Sequence, residues 1–215
     1  MRVTLLSVNV ALPREVQWNG TTVRTGIFKE PVQGRVILRK LNLDGDRQAD
    51  LSVHGGTHKA VYAYPVEHYD YWRRELPGME LPFGMFGENF TIEGITEPEV
   101  NIGDRFRVGS AELVVSQPRL PCYKLGIKFG SAGMEKRFLA SGRTGFYFSV
   151  AHEGEVGAGD NLDLISRDAN NVSVPDITRL YVTRSYSPAD LETVHRAITL
   201  EALPESWRRH FRERL

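Results

Sequence analysis

The sequence predicts a mainly β fold with α-helices added: a closed or nearly closed barrel with peripheral helices, then a small C-terminal three-helix extension. Three observations carry this. Short β-branched stretches separated by Gly and Asp recur through the first three quarters of the chain. Two segments in that part have helical spacing instead. Alternation stops after Ile165, and three helix starts follow one another to the end.

Residues 3–10 (Val3 to Val10) are the opening strand, and residues 34–40, with Val36 and Leu38 on one face, and 60–64 read as further strands. Pro65 can open a helix running towards Leu76, with Val66, Tyr69, Trp72 and Leu76 at helical spacing and Pro77-Gly78 as the stop. Residues 105–108 and 111–115 flank Gly109-Ser110, a two-residue turn beginning with Gly as a type II′ connection requires. A second helix starts after Ser131, carries Met134, Phe138 and Leu139, and ends before Gly142. The aromatic stripes of both helices read as core. Residues 145–150 and 161–165 supply the last strands, which places the barrel unit at 1–167. After a linker-like Asp168-Ala169-Asn170-Asn171, Pro175-Asp176, Ser187-Pro188 and Pro204-Glu205 each look like a helix start, giving an extension over 170–215.

Composition narrows the function classes. The 215 residues are 41% hydrophobic and 25% charged, with 27 basic and 27 acidic residues. No net field recruits nucleic acid or an acidic membrane. The basic C-terminus (Arg208, Arg209, Arg212, Arg214) is interleaved with Glu205 and Glu213, as on a solvated helix face. One cysteine cannot form an intramolecular disulfide, which fits a reducing compartment. The N-terminal stretch reads as a strand rather than a signal peptide, and no apolar run approaches the roughly 20 residues of a membrane helix. The expectation is a cytoplasmic protein with no membrane or nucleic-acid partner; a homodimer stays open.

The densest chemistry lies in Ser116-Gln117-Pro118-Arg119-Leu120-Pro121-Cys122-Tyr123-Lys124. Pro118 and Pro121 stiffen the approach to Cys122. Arg119 and Lys124 would favour its thiolate, the form that ligates a metal or attacks an electrophile. A buried, inert cysteine is the alternative. In His54-Gly55-Gly56-Thr57-His58-Lys59, paired glycines can form an anion-binding nest, with phosphate as guest; a solvent-facing glycine turn is the alternative. In Gly84-Met85-Phe86-Gly87-Glu88-Asn89-Phe90, Asn89 could hydrogen-bond a heterocycle or cap a turn. Arg143, in Ser141-Gly142-Arg143-Thr144-Gly145, could meet a phosphate or end a helix. Lys29, before Pro31, is equally open. The sequence has no Walker A loop, no strand-linked G-x-G-x-x-G and no G-x-S-x-G elbow.

As a set these stretches resemble the MOSC family, named for the C-terminal domain of molybdenum cofactor sulfurase, and within it the YiiM-like branch associated with resistance to 6-hydroxylaminopurine. The likeness rests on Lys29-Glu30-Pro31-Val32, residues 41–50, His54-Gly55-Gly56, Gly87-Glu88-Asn89, the Cys122 loop and Gly142-Arg143-Thr144-Gly145. The tail after Asn171 resembles that branch's three-helix extension. The resemblance implies a MOSC-type β-barrel that binds molybdenum cofactor (Mo-molybdopterin), with Cys122 as the metal ligand. By position it offers Lys29, His54, Lys59, Arg119, Lys124 and Arg143 for the cofactor's phosphate and pterin, with Asn89 on the pterin side. The extra N-terminal subdomain of the eukaryotic amidoxime-reducing relatives is absent, so their substrate contacts do not transfer.

The implied reaction is reduction of an N-hydroxylated compound to its amine and water, with His54 or Glu88 as proton donor and Cys122 at the metal. The sequence has no flavin or haem signature, so electrons would come from a separate reductase. A non-catalytic module that binds or carries the cofactor is the alternative, and a metal-free cysteine hydrolase is a third reading.

Overall fold

The computed structural model describes residues 2–50 and 55–215. From the N-terminus run β1 (Thr4–Val10), β2 (Arg14–Trp18), β3 (Thr21–Thr25), β4 (Glu30–Pro31), β5 (Arg35–Leu38) and β6 (Val61–Pro65). Then come α1 (Glu67–Glu75), β7 (Phe90–Glu93), β8 (Arg105–Val108), β9 (Ala111–Pro118), α2 (Tyr123–Phe129) and α3 (Met134–Ala140). The chain continues with β10 (Phe146–His152), β11 (Gly154–Gly157), β12 (Leu162–Ser166), α4 (Val174–Val182), α5 (Pro188–Ala197) and α6 (Glu205–Arg212).

Eight strands form one sheet in the order β12-β8-β9-β10-β6-β7-β1-β4. The β6–β7 pair is parallel and its other pairs are antiparallel. The sheet ends at β12 and β4, so of the expected closed or nearly closed barrel the described strands form an open sheet, without full closure. It nevertheless curls far: β1 reaches the residues before β12 through a bridge from Thr4 to Asn161 and a hydrogen bond from the Leu5 N–H to the Asp160 carbonyl (2.8 Å). Register shifts in β1, β10 and β12 supply the bending.

Inside the curl, Phe90, Ile92, Phe106, Leu113, Val115, Phe146 and Phe148 are buried. A second cluster lies under α1 and α3, where Trp72, Tyr64, Phe86 and Phe138 stack. The aromatic stripes of both helices are therefore core. The second helix lies where its spacing suggests, as α3, and the structure adds a separate helix, α2, that follows Cys122 directly. At seven residues, with no side-chain cap and no acid in its first turn, α2 is held by burial of Leu125, Ile127 and Phe129.

In the extension, α4 and α5 open on capping boxes, Ser173 with Asp176 and Ser187 with Asp190. Ile177, Leu180, Val194, Leu203 and Phe211 join the same core as the sheet. The indole Nε1 of Trp207 donates to Oε1 of Gln117 on β9 at 2.6 Å, and both groups are buried. Trp207→Phe leaves that acceptor unsatisfied and should cost about 1–3 kcal/mol. Urea unfolding should show the lower midpoint in a single transition, because extension and sheet share a core; two transitions would show that they do not act as one unit.

Candidate active site

The loop leaving β9 is held at both ends. The Arg119 N–H donates to the Gly145 carbonyl (3.3 Å), and the Cys122 carbonyl accepts from the Leu125 N–H (2.9 Å) as α2 begins. Cys122 has extended backbone (φ −129°, ψ 168°) and a half-buried side chain. It lies where two cavities meet, because Cys122, Lys59 and Tyr147 line both.

The first cavity, of about 100 Å³, is cationic: Lys29, Arg47, Lys59, Arg119 and Lys124 line it. Asp46 is the one carboxylate among its described lining residues. The second, of about 410 Å³, is bounded by Pro118, Leu120 and Pro121 of the loop and by Tyr181, Trp207 and His210 of the extension.

Asp46 organises the cationic side. Its fully buried carboxylate pairs with the Lys29 ammonium and accepts from the Ala11 N–H (2.9 Å) and the Asn89 amide (3.0 Å). Asn89 also donates to the Asn9 carbonyl (3.2 Å) and accepts from the Tyr62 N–H (3.1 Å). Three parts of the chain are thereby joined at one charge. Gly84 lets the Lys29 backbone come close: a Cβ there would sit 2.6 Å from the Lys29 carbonyl oxygen, at φ +83°.

Burial lowers the pKa of Lys29 below the ordinary ammonium range, against the pull of Asp46. Burial likewise lowers that of Lys59, with the Cys122 sulfur acting in the opposite direction. Burial works against the Arg119 charge too, yet the Tyr62 and Tyr147 phenols and the Cys122 thiol hold its pKa above its usual value. Its guanidinium donates to the Phe86 carbonyl and lies 4.3 Å from the Tyr62 ring centroid.

Of the residues singled out in the sequence, Lys29, Lys59, Asn89, Arg119, Cys122 and Lys124 come together here. Two do not line either cavity. Glu88 is fully buried behind the wall, where its carboxyl accepts from the Tyr69 hydroxyl, the Gly84 and Phe86 N–H groups and the Thr91 hydroxyl. Arg143 stacks on Tyr71 at 4.2 Å and donates to the Ser141 carbonyl (3.0 Å). His54 lies outside the described residues. The structure adds Asp46, Tyr147, Tyr181, Trp207 and His210. Asp46 stands in a stretch noted for its family likeness, but nothing local in it signals a buried carboxylate.

The donor set fits a metal that brings its own ligands. Among the described residues no three or more His, Cys, Asp or Glu side chains gather as a metal site. A single cysteine sulfur beside a cationic cavity suits a group that carries both a coordinated metal and a phosphate, as molybdenum cofactor does. Asp46→Ala would strand the Lys29 charge and should cost about 3–5 kcal/mol, the usual penalty for breaking a buried ion pair. In urea unfolding, adding Lys29→Met should recover a large part of that loss.

Comparison with known proteins agrees with this geometry. Residues 50–163 match the MOSC domain and residues 172–215 the YiiM-like, 3-alpha helix domain. A Bacillus subtilis (strain 168) protein, YflK, is 43% identical over 98% of this chain and 93% of its own length. A Gibberella moniliformis protein named "Reductase" is 33% identical over 78% of this chain, though the match spans only 30% of that protein. The crystal structure of YiiM from Geobacillus stearothermophilus superposes with a TM-score of 0.81 at 33% identity, covering 99% of both chains. With a sheet, a cysteine loop and a three-helix tail in this order, the chain belongs to the MOSC domain family and carries the helical region of its YiiM-like members.

Proposed function

We propose that this protein is a molybdenum-cofactor-dependent reductase that converts N-hydroxylated compounds, such as 6-hydroxylaminopurine, to their amines. The observation that carries the reading is the position of Cys122 at the junction of a cationic and an aromatic cavity. A module that only stored or carried the cofactor would need the first cavity alone. Family membership and the reductase name of one relative support redox chemistry in general. With one thiol that a reducing environment preserves, the cytoplasm is the compartment we assign.

The overall change is R–NHOH + 2 e⁻ + 2 H⁺ → R–NH₂ + H₂O. Bound cofactor would supply the two-electron chemistry, with electrons delivered by a separate reductase. Cys122 would hold the metal, while Lys29, Lys124 and Arg119 hold the phosphate and pterin. Of the earlier proton-donor candidates, Glu88 is enclosed by four hydrogen-bond donors away from both cavities. Lys59 lines both cavities, and its lowered pKa makes it the better acid. It would hand a proton to the departing hydroxyl oxygen.

Protein from a molybdenum-competent host should hold about one metal per chain and reduce 6-hydroxylaminopurine with a chemical electron donor. Cys122→Ala should abolish turnover, and full retention would remove the ligand role. Cofactor content without turnover of any N-hydroxylated compound would favour the carrier reading. Turnover in molybdenum-free protein that alkylation blocks would favour the hydrolase.

A general acid works protonated, so activity should fall as pH rises through the Lys59 pKa, at a pH below 10.5. Lys59→Met, with no proton to give, should lower turnover and remove that alkaline limb from a pH–rate profile.

A further inference from the structure

We infer that the C-terminal extension forms the substrate-recognition wall of the site, with Tyr181 as the ring on which a planar heterocycle stacks. This rests on the proposed function and deepens it.

The second cavity is built from two unlike pieces. On one side Pro118, Leu120 and Pro121 present an apolar loop edge. On the other, α4 and α6 present three rings. Trp207 and His210 are three residues apart, on one face of α6. The Tyr181 ring from α4 lies 5.0 Å from the Trp207 ring and 4.9 Å from that of His210, centroid to centroid. No carboxylate is among the cavity's described lining residues, and Lys59 is its one ammonium, at the Cys122 end. Such a space favours a flat, neutral or weakly polar ring over an anion or an aliphatic chain.

The rings differ in what they do for the fold. Trp207 is buried and bonded to Gln117, so it anchors the extension. Tyr181 is 40% exposed, leaving its outer face for a ligand. A ring lying there would point a substituent towards Lys59 and Cys122. The cavity's size suits a bicyclic base, since small-molecule sites commonly run from about 300 to 1,000 Å³. The rival occupant is the cofactor's own pterin, also a flat heterocycle.

The test uses the full chain with its cofactor, titrated calorimetrically with 6-hydroxylaminopurine and with acetamidoxime, an N-hydroxylated compound without a ring. Tyr181→Ala should weaken purine binding about 5- to 100-fold, the span expected for stacking on one aromatic ring. Tyr181→Phe should restore it, and acetamidoxime binding should change less than about twofold by the same stacking argument. Equal loss for both compounds together with lower cofactor content would place the pterin on Tyr181 and overturn the inference. So would purine binding unaffected by Tyr181→Ala. If neither compound turns over but Tyr181→Ala still loses purine binding selectively, the reductase reading falls and this one stands.

Discussion

The buried hydrogen bond from Trp207 to Gln117 is the constraint that makes one site out of two parts of the chain. Gln117 is the penultimate residue of β9, five residues before Cys122. Its carbonyl oxygen, taken out of water, must keep its donor or lose stability. The donor comes from α6, so the extension's position is referred to the strand that carries the cysteine loop. The Gln117 amide also reaches the His58 carbonyl (3.4 Å), and Ser116 donates to the same carbonyl at 2.7 Å. The turn bearing Lys59 is thereby tied to the same strand. Loop, lysine and aromatic wall are placed by neighbouring positions of β9.

The other side of the site has an electrostatic scaffold. Five cationic residues, Lys29, Arg47, Lys59, Arg119 and Lys124, line one narrow cavity against a single carboxylate. Mutual repulsion in a partly dehydrated space is costly unless anions compensate it. Asp46 compensates Lys29, while Arg119 is held by aromatic faces and a carbonyl. Lys59 and Lys124 still face the cavity and strengthen its attraction for a phosphate.

How much of this can be read from the sequence depends on whether the signal is local. The β1, β6 and β8–β9 strands are legible because apolar residues alternate against polar ones or cluster as β-branched runs. The β2–β3 hairpin lacks that pattern, since its strands are largely polar and open to solvent. Its one strong cue is Asn19-Gly20, whose φ values of 48° and 78° are those of a two-residue hairpin turn. The three-helix tail shows itself through Ser and Pro at helix starts. Barrel closure could not be read, because it turns on bulges and on whether edge strands meet. In the site, the Cys122 loop is legible since its prolines and cations are consecutive. Asp46 is not, because Lys29 lies 17 residues away and Asn89 lies 43 away. Glu88 misleads for the opposite reason: glycines around a polar pair suggest a ligand loop, yet they fold the carboxyl inward onto its own N–H donors.

A division of labour follows from the two cavities being so unlike. On the proposed reading the cationic half selects a phosphate-bearing group and gives little attraction to a neutral base. The aromatic half recognises a flat ring and offers a phosphate only Lys59, at its Cys122 end. Each ligand is thus kept out of the other's compartment by chemistry as well as by size, which is specificity through mismatch as well as match. Cys122 and Lys59 belong to both halves, so the reacting groups can meet only at that boundary. A family member that kept the sheet and cysteine loop but lost the helices would retain the first selection and lose the second. Substrate range should therefore vary with the extension, and cofactor identity with the sheet.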